Sequence, residues 1–168
     1  VMSRSLVATI SASGSSVNTG VGTVSATSAD VDLDGTLTTT GVVKLQTSTA
    51  GRTIGLGGGS GNYNLTDAEL DQVTAGSLEV GRSNSGNILI NNISPANTGK
   101  LVLRTGGSVT ECSADAAADI TIANLAMDSA TGVNVDVDVT NLAVKNSGAG
   151  GVDVTDTAGG MTVNSITN

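Results

Sequence analysis

Val133, Val135, Val137 and Val139 alternate with Asn134, Asp136 and Asp138. Such alternation puts every Val on one face of an extended strand and every polar residue on the other. The signal recurs in short pieces: Val31/Leu33, Val43/Leu45, Ile54/Leu56, Leu78/Val80, Ile88/Ile90, Leu101/Leu103, Ile120/Ile122, Leu142/Val144, Val152/Val154 and Met161/Val163. Gly, Asn and Ser clusters separate the pieces. Each piece reads as a half-buried strand of a few residues, and the interior must come from stacking many of them.

A longer period lies beneath. Strands starting at Ala8, Val31, Ile54, Leu78, Leu101, Ile120, Leu142 and Met161 follow one another at 23, 23, 24, 23, 19, 22 and 19 residues. A second series interleaves at Val21, Val43, Leu65, Ile88, Val109, Val133 and Val152. One comparison needs no gaps: Ser77–Ile90 aligns with Asn141–Val154, sharing Leu, Val, Ser and Gly positions and both final β-branched positions. A shorter copy runs from Asn124–Met127 to Gly132–Val135. A repeat of this length with two strands is one coil of a parallel β-solenoid, and about eight coils are expected. Each strand pairs with its counterpart about 4.8 Å along the axis.

Composition agrees. The 168 residues include 23 Gly, one Pro and one Tyr, with no Phe, Trp or His. A compact globule would use aromatics, which each bury a large area; thin stacked layers fill with Val, Ile, Leu, Ala and Met. The alternative, a β-sandwich, has strands at similar spacing but usually keeps Trp or Tyr in its core. Here only Tyr63 could serve. The expected fold is therefore all-β, a single parallel β-solenoid (β-helix) segment over residues 1–168. Val31, Ile54, Leu78, Leu101, Ile120, Leu142 and Met161 should face inward, and Asp32, Glu79, Asp136 and Asp153 outward, since a one-residue slip would exchange the faces.

One segment departs from the strand pattern. In Leu65–Leu70, Thr66 and Glu69 form a capping box, with Leu65 and Leu70 at the staple positions. Gly76 is placed to end the turn. The spacing predicts a short helical corner near residues 66–75.

Gly51-Arg52-Thr53-Ile54-Gly55-Leu56, Leu65-Thr66-Asp67-Ala68-Glu69-Leu70-Asp71, Thr74–Gly81 and Ser85–Ile88 together resemble a module of very large bacterial exoproteins similar to filamentous haemagglutinin and related adhesins. Leu101–Thr110 and Ile120–Ala126 do so as well. The resemblance covers roughly residues 42–168 and is weaker before that. It implies a right-handed parallel β-helix, secretion to the cell surface or beyond, and a role in adhesion, biofilm or surface structure. No catalytic residues come with it. The stretch Glu111–Asp119 departs from the pattern, being longer and more acidic.

The absence of His excludes His-dependent triads and His-ligated metals. Cys112 is alone, so it forms no intrachain disulfide, and as a nucleophile it would lack its usual imidazole base. It reads as a small buried or loop residue. Aromatic sugar platforms and clustered Arg or Lys are missing, so no enzyme is expected. Net charge is −8, and Arg4, Lys44, Arg52, Arg82, Lys100, Arg104 and Lys145 are scattered along the sequence. That argues against nucleic acid and anionic lipid. No apolar run approaches a membrane span.

No cofactor is expected, and calcium is the one ion with a candidate place. Asp30-Val31-Asp32-Leu33-Asp34-Gly35 imitates a calcium loop, but Val31 and Leu33 favour a strand with Thr9, Thr53 and Gly55 beside it. A better set joins Asp136 and Asp138, with Asn134, to Asp153 one coil on, where facing carboxylates would repel without a cation. Gly57–Gly61 reads as a flexible corner loop, because a phosphate loop would need a following Lys.

The chain does not begin at a natural Met, so a leader was removed or the chain is a segment of something longer. The first strand, near Leu6–Ile10, and the last, Met161–Ile166, have no amphipathic helix, Pro or charge cluster beside them. The expected partners are therefore more of the same polypeptide or another copy stacked end to end. A glycan- or protein-binding module is the alternative, acting on a glycan or host surface through an outer face of Ser, Thr and Asn.

Overall fold

The computed structural model describes residues 16–168. They form an all-β solenoid of about seven turns, with parallel sheets and one short helix. In chain order the elements are β1 (Ser16–Asn18), β2 (Thr23–Ser28), β3 (Thr36–Thr38), β4 (Val42–Thr47), β5 (Ile54–Leu56), β6 (Tyr63–Leu65), α1 (Asp67–Asp71), β7 (Val73–Thr74), β8 (Ser77–Gly81), β9 (Ile88–Ile90), β10 (Leu101–Arg104), β11 (Val109–Glu111), β12 (Ile120–Ser129), β13 (Val133–Asn146), β14 (Val152–Asp156) and β15 (Thr162–Thr167).

Two aliphatic rows carry the interior. The first is Val24–Val43–Leu78–Leu101–Leu125–Leu142–Val163, one residue from each of β2, β4, β8, β10, β12, β13 and β15. The second is Tyr63–Ile54–Ile88–Val109–Val133–Val152, from β6, β5, β9, β11, β13 and β14. Inner members of both rows are almost wholly buried. Each large one contributes about 1.5–3 kcal/mol through removal from water.

The gap-free comparison of Ser77–Ile90 with Asn141–Val154 was sound: Leu78 and Leu142 share the first row, and Ile88 and Val152 the second. The finer register needs correction. Val43 belongs to the first row, and Ile54 to the second. Leu101 faces Leu125, not Ile120, and Leu142 faces Val163, leaving Met161 only partly buried. Val21 is fully exposed in a turn. Ala8 and the strand near Leu6–Ile10 lie outside the described residues. The parity of faces is right in β13, where Val135 is buried and Asp136 half-buried on the outer side.

The register slips in the N-terminal half because the chain steps backward. Successive members of the first row are 19, 35, 23, 24, 17 and 21 residues apart. The long interval holds β5 and β6. Strand β5 pairs with β9 on one side and with the nearer β6 on the other. Parallel neighbours normally need a crossover of a dozen or more residues, yet residues 57–62 make this one.

Glycine makes that connection fit. A Cβ on Gly55 would collide with the Gly59 carbonyl, and one on Gly61 with the backbone of Gly55. Cβ atoms on Gly57 and Gly59 would strike the carbonyls of Asn91 and Leu89. Bare backbone therefore crosses bare backbone. Gly57–Gly61 is a packed crossover, not the flexible corner loop its composition suggested.

The surrounding segment is tied to this back-step. Asp30 Oδ1 accepts from the Asn64 N–H of β6 at 2.9 Å and from the Val31 N–H at 3.0 Å. Glu69 Oε1 accepts from the Leu33 N–H at 3.0 Å. Asp30 thus lies beside Asn64, not beside Thr53 and Gly55. Tyr63, fully buried, fills the interior at this level, and burial raises its phenol above the usual range.

The capping box forms as expected: Thr66 Oγ1 accepts from the Glu69 N–H, and Glu69 Oε2 accepts from the Thr66 N–H. Leu65 and Leu70 are buried. The helix lasts only five residues and ends at Gln72, so Gly76 does not terminate it. Gly76 instead lies in a corner column with Gly41 and Gly99, where a Cβ on each would press on the carbonyl one coil below.

Another corner is closed by small polar side chains pointing inward. Thr47 Oγ1 and Ser85 Oγ lie 2.9 Å apart, Thr105 Oγ1 accepts from the Gly107 N–H at 2.9 Å, and Ser129 Oγ donates to Asn146 Oδ1 at 3.2 Å. All are buried. They satisfy backbone groups that leave the sheet where the chain turns.

Gly55→Ala should destabilise the fold by about 2 kcal/mol or more, since the added carbon meets backbone that cannot yield. Gly151→Ala, whose Cβ meets nothing, should change it by less than about 0.5 kcal/mol. Urea unfolding of both variants tests the crossover; equal, small effects would mean the 57–61 segment is loose after all.

Candidate functional site

The outer surface carries three arrangements of polar side chains. The first is a stripe of alternating charge along the rod. Lys44 Nζ lies 3.5 Å from Glu79 Oε2, and Glu79 Oε1 lies 3.9 Å from Arg104 Nη1. Arg104 Nε lies 3.5 Å from Asp128 Oδ2, and Asp128 Oδ1 lies 3.9 Å from Lys145 Nζ. The register explains it. Lys44 faces Glu79, and Arg104 faces Asp128, which faces Lys145. Gly81 opposite Arg104 leaves room for the guanidinium to lean back to Glu79.

Three cations scattered along the sequence thus share one face, and each is matched by a carboxylate. Glu79, expected in solvent, is outward but only 9% exposed, because two cations cover it. Partly exposed pairs of this kind contribute about 0.2–1 kcal/mol each.

The second arrangement is acidic and sits where the resemblance fails. Glu111 follows Val109 by two residues, so it occupies an inward register position, opposite Ile90 of β9. Its Oε2 is buried without a hydrogen-bond partner. Asp119, beside it, is buried and accepts from the Asp136 N–H at 3.4 Å. Residues 112–117, including the exposed Cys112, bulge outward between the two carboxyls. Burial, then the Asp119 carboxyl, then the charges of Asp119, Asp136 and Asp115 push the Glu111 carboxyl up to about 7. Burial likewise raises Asp119, against the hydrogen bonds from Glu111 and from the Asp136 backbone. Both carboxyls thus hold a proton more tightly than carboxyls in water do. The parity Val109–Thr110–Glu111 already carried this signal in the sequence.

The third arrangement is a shallow groove on the outer side of β11, β13 and β14. It is lined by Ser108, Thr110, Thr131, Asn134 and Asp153 over a floor of Gly132 and Gly151, with a volume of about 360 Å³. Two outward rows make it. Thr110 faces Asn134, which faces Asp153. Two residues earlier, Ser108 is followed across the coils by Gly132 and Gly151, so the row loses its side chains and the surface dips.

The calcium candidates are spread over these rows. Asp153 faces Asn134, Asp136 faces Thr155, and Asp138 faces Thr121. Asp136, Asp138 and Asp153 therefore do not face one another across adjacent coils; the carboxylate beside Asp136 is Asp119, which accepts from the Asp136 N–H. Among the described residues no three His, Cys, Asp or Glu side chains are gathered as metal ligands. No helix among them is long and apolar enough to cross a membrane.

Comparison with protein-family models, with curated proteins and with solved structures finds no match to this chain.

Glu111 makes a pH prediction. Its carboxyl is raised from about 4.5 to about 7 on folding. The folded chain thus holds a proton between those values that the unfolded chain has lost. The stabilisation is complete below about 4.5 and is lost as pH rises through about 7. Glu111→Gln should remove that slope and make the protein more stable than the parent at pH 8, by at most about 1 kcal/mol because solvent reaches the group. Melting curves of parent and variant across this window decide it; parallel curves would mean that Glu111 ionises as in the unfolded chain.

Proposed function

We propose that this chain is a structural or adhesive segment of a secreted bacterial surface fibre, extracellular or displayed at the cell surface, and that it is not an enzyme. The observation that carries the reading is the unbroken run of the two interior rows from coil to coil, and the last described coil shows the face that such a row offers. Leu142 is fully buried, but Val163, the next member of its row, is 50% exposed, and Ile166 is 51% exposed. Val152 and Val154 are only partly buried. This end presents an interior row together with the open edge of β15, as a site for one more coil. More of the same polypeptide, or a second copy stacked head to tail, would cover it, and a heterologous contact without closure gives a filament.

The resemblance of Leu65–Asp71, Thr74–Gly81 and Leu101–Thr110 to adhesin modules supports the same reading, and right-handed coiling goes with it. The charge stripe fits a rod that avoids polyanions, since each of its cations is already paired. The second reading, a glycan- or protein-binding module, is favoured by the groove over Gly132 and Gly151.

Electron microscopy and light scattering of the 168-residue chain test the fibre. Axial association that rises with concentration is expected, and Val163→Lys combined with Ile166→Lys should abolish it. A monodisperse monomer at high concentration would overturn end-to-end stacking of copies.

A further inference from the structure

We infer that the groove over Gly132 and Gly151 binds a neutral saccharide; this rests on the reading of the rod as a displayed surface and gives that surface a ligand class.

The side chains around the groove are unused. Ser108 Oγ, Thr110 Oγ1, Thr131 Oγ1, the Asn134 amide and the Asp153 carboxylate make no hydrogen bond to the described residues. Three asparagines on neighbouring coils are engaged. Asn141 Nδ2 donates to Asn124 Oδ1 at 3.0 Å, Asn124 Nδ2 donates to the Gly99 carbonyl at 2.9 Å, and Asn146 closes a corner through Gly150 and Asn168. Those three brace the rod, whereas the side chains gathered around the groove are left for solvent or a ligand.

Their chemistry selects the ligand. Three hydroxyls donate and accept, one amide does both, and one carboxylate accepts twice. Adjacent sugar hydroxyls are complementary to an amide and a carboxylate in register on neighbouring coils. No cation lines the groove, so phosphates, sulfates and uronic acids meet one negative charge and nothing to offset it. A single carboxylate is too few ligands for calcium. The glycine floor is flat backbone, against which the C–H face of a pyranose can lie. The volume, about 360 Å³, lies at the small end of ligand sites. With no aromatic platform, affinity should be in the millimolar range, about −4 kcal/mol. Copies repeated along a fibre would raise the avidity.

Saturation-transfer difference NMR reads the sugar, so it works whether or not the chains assemble. The probes are glucose, galactose, mannose and N-acetylglucosamine, each with the 168-residue chain. At least one should give a saturable signal in the millimolar range. Gly151→Leu should abolish it without changing the melting temperature, because the added side chain enters open space. Asp153→Ala should weaken it about tenfold, the loss of hydrogen bonds to a charged acceptor. No signal from any of the four sugars overturns the proposal, as does a signal unchanged in Gly151→Leu. Calcium chloride shifting the Asp153 resonances while the sugars give nothing would replace the saccharide with an ion. A chain that stays monomeric yet binds sugar through this groove would refute end-to-end stacking of copies and leave the saccharide site standing.

Discussion

Every row of this protein is governed by the axial distance between parallel strands, about 4.8 Å. At that spacing a side chain touches its counterpart one coil above and one coil below before it touches much else. Like must therefore tolerate like, or opposites must alternate. Aliphatic residues tolerate themselves, and the two inner rows consist of them. Charges do not, and the outer stripe runs Lys44, Glu79, Arg104, Asp128, Lys145. Amides can bond to themselves, as Asn124 and Asn141 do. At the corners the chain bends inside the spacing itself, which leaves room for hydrogen only, and Gly41, Gly76 and Gly99 stack there.

The same constraint explains the two irregular places. At β5 and β6 the chain reverses its advance and crosses its own strand, which is sterically open only because the outward position of β5 is Gly55. At Glu111 an acid occupies a position whose neighbour in β9 is Ile90. A carboxylate there has no like neighbour to rest on and no cation within the row. Its carboxyl holds a proton more tightly instead, as does that of Asp119, and the segment between the two leaves the wall of the rod. Desolvation, not a designed partner, sets its behaviour.

Legibility in the sequence followed this physics closely. Alternation and repeat length were enough to place Leu78 opposite Leu101 and to line up Ile88, Val109, Val133 and Val152, but not to choose Leu125 over Ile120 opposite Leu101 or Val163 over Met161 opposite Leu142. The period-two signal reports the face of a residue reliably, since it depends on one strand alone. The identity of the partner depends on how many residues the intervening corners consume, and that is not periodic. The interval from Val43 to Leu78 absorbs a crossover and a helix, so counting by a fixed repeat exchanged the two rows there. The charge stripe was illegible for the same reason: Lys44, Arg104 and Lys145 are far apart until the register is known. The groove needed the register too, since its floor is the coincidence of Gly132 and Gly151 on neighbouring coils.

Stability in such a rod is a nearest-neighbour quantity, and the terminal coil makes its size visible. Leu142 and Val163 are consecutive in one row, yet one is fully buried and the other half-exposed. Covering Val163 and Ile166 would each recover roughly 1 kcal/mol, with the backbone hydrogen bonds of one new strand besides. That gain is the same whether the covering coil comes from the same polypeptide or from another. The cost differs. A coil in cis pays loop closure alone and acts at an effective concentration in the millimolar range. A coil in trans must surrender the freedom of a whole molecule. Any coil available in cis will therefore occupy the Val163–Ile166 face first, and separate copies can stack on it only when no such coil competes.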